Sequence, residues 1–402
     1  MLDPDLIPSI CIFISSIFIV LHIYSDDNRN FKVLLILGLV IRLILMYGDY
    51  FGLFSVFGSG ADSEKFHMQA IHNMYHLEKI GASNYKYFLD FIYRATSGSR
   101  LIAQYINLIM GFYAIVLIEK SLRYLEIKKE YYLFPMLVLL FLPVFNSSSV
   151  ALLREAWIIF FVALSVYYFI KWFCQFGKIN MIWSVLSVLC AAYMHSGVIT
   201  ILAGYFIAFA TYDTNSFRVN LNAKSCTIIF LVLGVAIGLI PYMDQFTGKF
   251  AKLERAEDII VMTNKINHGS SAYLQWINSD SLMESLMFAP LKMLYFLFSP
   301  LPTEWNSVIN IIAFFIDGLF YLLLSYFCFS NRHYCTNKYR IFRNYLSISL
   351  FCVIFTFAYG TYNAGTAMRH RAKILSVLVI GYAVTRQCKT KSTHYNDKSI
   401  QE

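Results

Sequence analysis

The sequence predicts an all-α polytopic membrane protein, and three observations support this fold class. Of the 402 residues, 58% are hydrophobic and only 14% are charged, whereas soluble domains contain about 25% charged residues. Aromatic residues make up 17%, and such rings are enriched where membrane helices meet lipid headgroups. The apolar residues are gathered into long runs separated by short polar gaps. Most of the chain is therefore expected to lie where charge is costly.

Eleven apolar runs approach the roughly 20 residues that a helix needs to cross the hydrocarbon. They lie near 6–24, 31–50, 101–119, 131–145, 153–171, 180–195, 197–212, 225–242, 307–329, 345–359 and 372–385. A twelfth run, 285–299, is short and carries Pro290, so it is predicted to be a re-entrant or interfacial helix. We expect about 11 transmembrane helices plus that helix in a single transmembrane domain, 1–385. The basic tail, 386–402, is expected to be disordered.

The basic residues predict the orientation of the chain, because cytoplasmic loops are enriched in Lys and Arg. If the spans alternate and 285–299 does not cross, the N-terminus lies outside and the C-terminus is cytoplasmic. The cytoplasmic gaps then hold 18 of the 33 basic residues, and they are 25–32, 120–131, 171–179, 212–224, 330–344 and the tail. The net charge of +9 thus reflects orientation and predicts no nucleic acid partner. Two large outer segments result, 51–100 and 243–306, too long for simple connectors.

The last outer loop and the start of the final span carry a run of basic residues, GTYNAGTAMRHRAKIL at 360–375. Thr366 precedes Arg369, His370 and Arg371, which we expect inside the first turns of the helix. The positive end of the helix dipole and these cations together favour an anion such as a phosphate or diphosphate. The alternative is that the cations anchor anionic lipid headgroups.

Arg154 and Glu155 begin the fifth span, and ionisable residues within spans are functional candidates. Adjacent residues on a helix do not face one another, so the two are expected to have different partners. The alternatives are an internal ion pair or a lipid anchor. His195 lies at a tight outer turn, where it could serve as a base, an acid, a phosphate contact or a satisfied core residue. Arg42, in the second span, could pair with an acid or extend to the membrane surface.

The segment GSGADSEKFHMQ at 58–69 places Asp62 and Glu64 after a Gly-Ser turn. A carboxylate there could take a proton from a sugar hydroxyl, or it could simply cap a helix. Trp305, in the proline-rich turn SPLPTEW, could stack on a pyranose face or belong to the aromatic belt. No cysteine has a CxxC partner, so no metal cluster is predicted. No nucleotide-sugar loop or phosphate-binding loop is visible.

The chain resembles bacterial oligosaccharide repeat-unit polymerases of the Wzy or EpsG-like group. Five short segments carry the resemblance, and they are ADSEKFH at 61–67, LREAW at 153–157, HSGVI at 195–199, FSPLPTEW at 298–305 and GTAMRHR at 365–371. The resemblance implies transfer of a growing glycan from undecaprenyl diphosphate onto a second lipid-linked repeat unit. It also implies a site at the outer face of the bacterial cytoplasmic membrane. The resemblance implies no metal or cofactor, which is consistent with the lack of nucleotide-sugar and phosphate-binding loops.

In such an enzyme Arg154, Arg369 and Arg371, with His370 and Thr366, would hold the leaving diphosphate. Asp62 or His195 would activate the acceptor hydroxyl, with Glu155 and Trp305 in supporting or acceptor-binding roles. The implied partners are the lipid-linked oligosaccharide, membrane lipid, a chain-length regulator and a flippase. The basic residues of 243–284 (Lys249, Lys252, Arg255 and Lys265) are candidates for acceptor recognition.

Two other functions fit part of the pattern. A transferase using a polyprenyl-phosphate sugar would favour an acidic pair such as Asp62 and Glu64. A lipid-linked oligosaccharide flippase would require charges deep in several spans and two related halves. Apart from Arg42 and Asp317 the spans are nearly free of charge at mid-depth, which favours the polymerase.

Overall fold

The computed structural model describes residues 5–26, 31–57, 60–74, 84–175, 177–213, 216, 218–223, 225–227, 271–277, 281–330 and 337–398. Of these residues 81% are helical. A two-stranded antiparallel ribbon pairs β1 (Tyr212–Asp213) with β2 (Arg218–Val219). The predicted all-α class therefore holds for the described chain.

Sixteen α-helices form this part of the structure. In chain order they are α1 (Leu6–Ser25), α2 (Lys32–Tyr50), α3 (Ala61–Met74), α4 (Tyr85–Ala95), α5 (Arg100–Tyr124), α6 (Lys129–Phe141), α7 (Pro143–Val150), α8 (Glu155–Gln175), α9 (Lys178–Met194), α10 (Leu202–Thr211), α11 (Leu282–Met287), α12 (Ala289–Phe298), α13 (Val308–Phe329), α14 (Asn337–Tyr359), α15 (Ala364–Ala372) and α16 (Leu375–Lys398). Two 3-10 turns, Ser196–Ile201 and Pro302–Glu304, precede α10 and α13, and α13 contains a π-helical segment, Phe314–Gly318.

Six described helices are long and apolar enough to cross a membrane, namely α1, α2, α5, α8, α13 and α14, and a seventh span results if α6 and α7 count as one. This number is lower than the predicted eleven. The runs at 180–195, 197–212 and 372–385 form shorter apolar helices, and 225–242 lies almost wholly outside the described residues. Helix α12, the predicted re-entrant helix, has 10 residues and so extends about 15 Å, half the hydrocarbon thickness.

The run at 131–145 is broken rather than continuous. Helices α6 and α7 meet at an angle of 53°, because Pro143 has no N–H to continue the hydrogen-bond ladder. Arg42 is fully buried beside this break and donates from Nη1 to the carbonyls of Gly38 (3.0 Å) and Leu140 (3.4 Å). A cation at the last carbonyls of a helix complements its dipole. Arg42 thus caps α6 and does not extend to the membrane surface.

Helices α5 and α8 form the centre of the bundle, with 67% and 61% of their apolar windows buried. Helix α1 is peripheral, at 22% buried, and its exposed apolar side chains suit contact with lipid. Helices α8 and α9 pack along most of their length, and α16 packs against α5, α6, α8, α13 and α14. Helix α16 is therefore surrounded by other helices, which explains why Arg371 and Lys373, just before its start, are buried.

Two predicted segments outside the spans have differing outcomes. The first outer segment, 51–100, folds into α3 and α4, which pack against each other. In the second, 243–306, the four basic residues named above lie outside the described residues. The tail predicted to be disordered is helical to Lys398, since no glycine or proline after Tyr382 interrupts the helix.

Candidate functional site

The site is built around the short helix α15, which packs against α7, α8, α12 and α14. Asn363 caps its start, and its Oδ1 accepts from the N–H groups of Gly365 (2.9 Å) and Thr366 (3.3 Å). The neighbouring segment 271–277 fixes this loop, since Tyr273 N–H donates to the carbonyl of Tyr362 (3.0 Å). The cap occupies the N–H groups proposed for an anion, so the structure does not support an anion site at Thr366.

The basic residues occupy the opposite end of α15 from the one predicted. The helix ends at Ala372 and α16 begins at Leu375, so Arg369, His370 and Arg371 lie in the last turn of a separate helix. There their charges complement the dipole instead of opposing it. The sequence pattern did not reveal this break, because no proline or glycine marks it.

Arg371 is fully buried and holds neighbouring elements together. Its Nη1 donates to the carbonyls of Leu297 (2.9 Å) and Ser299 (2.6 Å), and its Nη2 pairs with Asp317. The guanidinium also lies 4.8 Å from the centre of the Tyr321 ring. All these partners belong to α12, its C-terminal turn and α13. The predicted diphosphate ligand Arg371 is thus used to position α12 and α13 against α15.

Arg369 faces another way and contacts α3, in the segment 51–100. Its Nη1 lies 2.6 Å from Oδ2 of Asp62, in the first turn of α3. The Asp62 side chain is 53% exposed and that of Arg369 is 18% exposed. One residue proposed as a base and one proposed as a diphosphate ligand therefore form an accessible ion pair. Glu64, two residues further along in the same first turn of α3, pairs separately with Arg100 (2.8 Å).

Glu155 and Lys373 form a second, buried ion pair at 3.5 Å, with side chains 5% and 0% exposed. Arg154 instead donates from Nη1 to the carbonyl of Met194 (3.2 Å) at the end of α9. The prediction that Arg154 and Glu155 have different partners is confirmed. The Arg154 partner is neutral, so no ion pair of Arg154 is found in the described part of the chain.

His195 and His370 meet beside the two ion pairs. Their ring centres are 4.9 Å apart, and the Phe357 ring packs against both. The Thr361 hydroxyl lies 3.3 Å from His370 Nδ1. Burial holds the pKa of His370 well below its ordinary value, and the neighbouring positive groups lower it further: Lys373, His195, Arg154 and Arg369. Burial and these charges therefore favour the neutral form of His370, in which the ring can both donate and accept a hydrogen bond.

We use the term basic cluster for Arg154, His195, Arg369, His370 and Lys373. Asp62 and Glu155 supply two negative charges against three from the two arginines and a protonated Lys373, which leaves one positive charge in excess when both histidines are neutral. Burial lowers the pKa of Lys373 to about 7, so this excess is greatest below that pH. The two ion pairs and the paired histidine rings join α3, α8, α9 and α15. A partly accessible site of this charge is suited to binding a phosphate or diphosphate.

Asn107 fixes the turn that leads to Arg154. Its Nδ2 donates to the carbonyls of Ala151 (2.8 Å) and Leu153 (2.9 Å), and its Oδ1 accepts from the Trp157 indole (2.9 Å). All of these groups are buried. In the extended turn between α7 and α8 the Ala151 carbonyl also accepts from Leu153 N–H (2.8 Å), and the amide of Asn107 supplies the hydrogen bond to the Leu153 carbonyl.

We expect the Asn107→Leu substitution to destabilise the protein by about 2–4 kcal/mol, because it removes the Asn107 bonds of the buried Leu153 carbonyl and the Trp157 indole N–H. Thermal unfolding in detergent measures the effect. The control is Ser187→Ala, which removes only a bond within α9 to the carbonyl of Trp183. Equal melting temperatures for Asn107→Leu and this control would contradict the proposed role.

Trp305 lies apart from the basic cluster. Its indole donates to the carbonyl of Pro300 (3.2 Å), and its ring centre is 5.5 Å from that of Phe314. The adjacent Glu304 is buried, and its carboxylate accepts from Leu301 N–H (2.6 Å). Both residues thus stabilise the turn between α12 and α13. The structure gives no support for a sugar-stacking role of Trp305.

Burial raises the pKa of Glu304 from 4.5 to about 7, so the folded state retains a proton that the unfolded chain releases above pH 4.5. Stability is therefore expected to fall as pH rises from 4.5 to 7, by about 3 kcal/mol at most. The Glu304→Gln variant, which does not ionise, should lose less stability over this range. Melting temperatures of both proteins at pH 5 and pH 8 test this. Parallel pH profiles would contradict the assignment.

Two charged residues of this region have buried partners that the sequence pattern did not indicate. In the sequence Lys373 stands out only as part of a basic run, and Asp317 only as a charge at mid-depth. Each is a single charge bordering or inside an apolar run, which is a usable signal because burial of such a group requires a partner. The partner itself cannot be identified from the sequence.

Comparison of the chain with protein-family models, curated proteins and solved structures returned no match.

Proposed function

We propose that this protein is a membrane glycosyltransferase that polymerises undecaprenyl-diphosphate-linked oligosaccharide repeat units at the outer face of the bacterial cytoplasmic membrane. One observation carries the proposal. Asp62, Arg154, His195 and Arg369, from four of the five segments that resemble such polymerases, meet around one positively charged site. Flanking helices of spanning length are what a lipid-linked substrate requires.

Arg154 and Arg369 are the residues assigned to the diphosphate. Both are half-buried rather than buried, and the partner of Arg154 is a neutral carbonyl. Arginine forms charge-assisted, often bidentate hydrogen bonds to phosphate oxygens. These bonds would strengthen as the bond between the sugar and the diphosphate breaks and negative charge accumulates on the leaving group.

Asp62 is the first candidate for the base. Arg369 cannot hold both Asp62 and the diphosphate with the same donors, so substrate binding would free the Asp62 carboxylate. That carboxylate could then take the proton of the acceptor hydroxyl as the hydroxyl oxygen attacks the anomeric carbon. His195 is the second candidate, since it lies beside the neutral His370. Glu155 and Lys373 form the buried floor of the site.

A second candidate function is transfer of a sugar from a polyprenyl phosphate. The acidic residues Asp62 and Glu64, in the same turn of α3, favour it. In the structure each is paired with a different arginine, Arg369 and Arg100. The second function would require Glu64 as well as Asp62, whereas the polymerase would require only Asp62.

Deletion of the gene in a polysaccharide-producing strain tests the proposal. A polymerase loss should remove the ladder of long chains and leave single repeat units on their carrier. Complementation with Asp62→Asn should fail to restore the ladder, whereas Glu64→Gln, in the same turn, should restore it. Failure of both variants would favour the second function, and complete loss of surface glycan on deletion would exclude the polymerase.

A further inference from the structure

An apolar groove of about 830 Å³ opens between α13 and α14 beneath α12. Its walls are almost wholly apolar, and six of the residues that line it are Ala289, Leu294, Leu297, Ser325, Tyr326 and Phe355. The groove is open at the side, since Leu294 is 50% exposed and Tyr326 is 60% exposed. Below it α13 and α14 make contact, where Ser347 Oγ donates to the carbonyl of Cys328 (3.4 Å).

A hydrogen bond between Leu297 and Arg371 connects the groove wall to the helix that carries part of the basic cluster. Leu297 contributes to the groove wall, and its carbonyl accepts the hydrogen bond from Arg371. Arg371 follows Arg369 and His370 in α15, which packs directly against α12. The wall of the groove that α12 forms is therefore in contact with the helix that carries Arg369 and His370.

We propose that this groove binds the polyisoprenyl chain of the lipid-linked substrate while its phosphate end reaches the basic cluster. An apolar channel next to excess positive charge is complementary to an amphiphile with an anionic head and a long apolar tail. The volume lies within the range of about 300–1,000 Å³ that is usual for ligand sites. The choice of a polyisoprenyl carrier over another amphiphile rests on the function proposed above.

The groove would do more than hold the chain. Helix α12 forms one wall of the groove and is fixed to α15 by Arg371. The position of the polyisoprenyl chain therefore affects α15, the short helix that carries Arg369. Binding through the apolar tail fixes the reacting end, which is the way remote binding energy assists a reaction. A short-chain substrate would keep the head contacts and lose this positioning.

A binding experiment tests the groove without any polymerisation. The full-length protein is placed in phosphatidylcholine nanodiscs, and its affinities for undecaprenyl phosphate and for geranyl phosphate are measured. Ser325→Phe and Leu294→Trp both fill the groove, and Leu294 is exposed enough for the larger side chain to be tolerated. Ile309→Trp, on the same helix α13 but 76% exposed and outside the groove, is the matched control.

We expect at least one groove variant that melts like the wild type to bind undecaprenyl phosphate about tenfold more weakly, with its affinity for geranyl phosphate unchanged. Ile309→Trp should bind both as the wild type does. Wild-type affinity for undecaprenyl phosphate in Leu294→Trp, or equal competition by phosphatidylglycerol, would overturn the proposal. If gene deletion removes the ladder but the groove variants bind undecaprenyl phosphate as the wild type does, the groove proposal alone is refuted. If gene deletion leaves the ladder intact but the groove variants bind undecaprenyl phosphate more weakly, the polymerase function alone is refuted.

Discussion

Replacing Asp317 with alanine is expected to destabilise the protein by about 3–5 kcal/mol, because Arg371 then remains as a buried charge without its carboxylate. Both side chains are at most 2% exposed, so water cannot compensate. The measurement is the midpoint of thermal unfolding in detergent, with the folded fraction monitored by protein fluorescence. This is the largest stability effect expected for any single substitution in the site region.

The double variant Asp317→Leu with Arg371→Met provides the matched control for this prediction. Replacing both members of a buried ion pair with apolar residues of similar size is often neutral, so much of the lost stability should return. Recovery should be incomplete, because Arg371 also bonds the carbonyls of Leu297 and Ser299. An Asp317→Ala protein that melts like the wild type would show that the pair does not hold α13 against α15.

Replacing both Arg154 and Arg369 with glutamine is expected to lower the rate of glycan polymerisation by a factor of about 10²–10³ or more, because the leaving diphosphate loses its two arginine partners. The fold should persist, since neither side chain is fully buried. The measurement is the rate of ladder formation in membranes supplied with lipid-linked repeat units.

Arg100→Gln is the control for this second prediction. Arg100 is about as exposed as Arg369 and pairs with Glu64, which lies in α3 like Asp62, the partner of Arg369. Arg100 does not belong to the basic cluster. Normal ladder formation is expected for this control. A double variant at Arg154 and Arg369 that keeps the wild-type rate would exclude the diphosphate assignment while leaving the groove untested by the same measurement.

Several features of the site could be predicted from sequence because they depend on local composition. Arg154 and Glu155 stand at the start of an apolar run, and neighbouring positions on a helix must face different ways. Their separate partners, the carbonyl of Met194 and the ammonium of Lys373, follow that expectation. The gathering of polar segments could likewise be anticipated, since a membrane offers few places for charge.

The number of spans could not be predicted in the same way. Hydropathy reports the length of an apolar run, whereas the chain breaks the run at 131–145 at Pro143 and ends α15 without any sequence signal. That second break places Arg369, His370 and Arg371 at a helix C-terminus. The effect of the helix dipole on a charge reverses from one end of a helix to the other, so the dipole favours these cations where the structure places them and would have opposed them at the predicted position.

The sequence by itself determined the class of the protein, because apolar runs of spanning length can only satisfy their backbone groups as helices in lipid. It also determined which segments carry charge. The tertiary structure alone decided how those charges pair. Arg369 meets Asp62 across 307 positions of sequence and Arg371 meets Asp317 across 54, and no periodicity encodes contacts over such distances. Arg371 is buried and stabilises the fold, since a buried cation needs its carboxylate partner. Arg369 is partly exposed and therefore remains accessible.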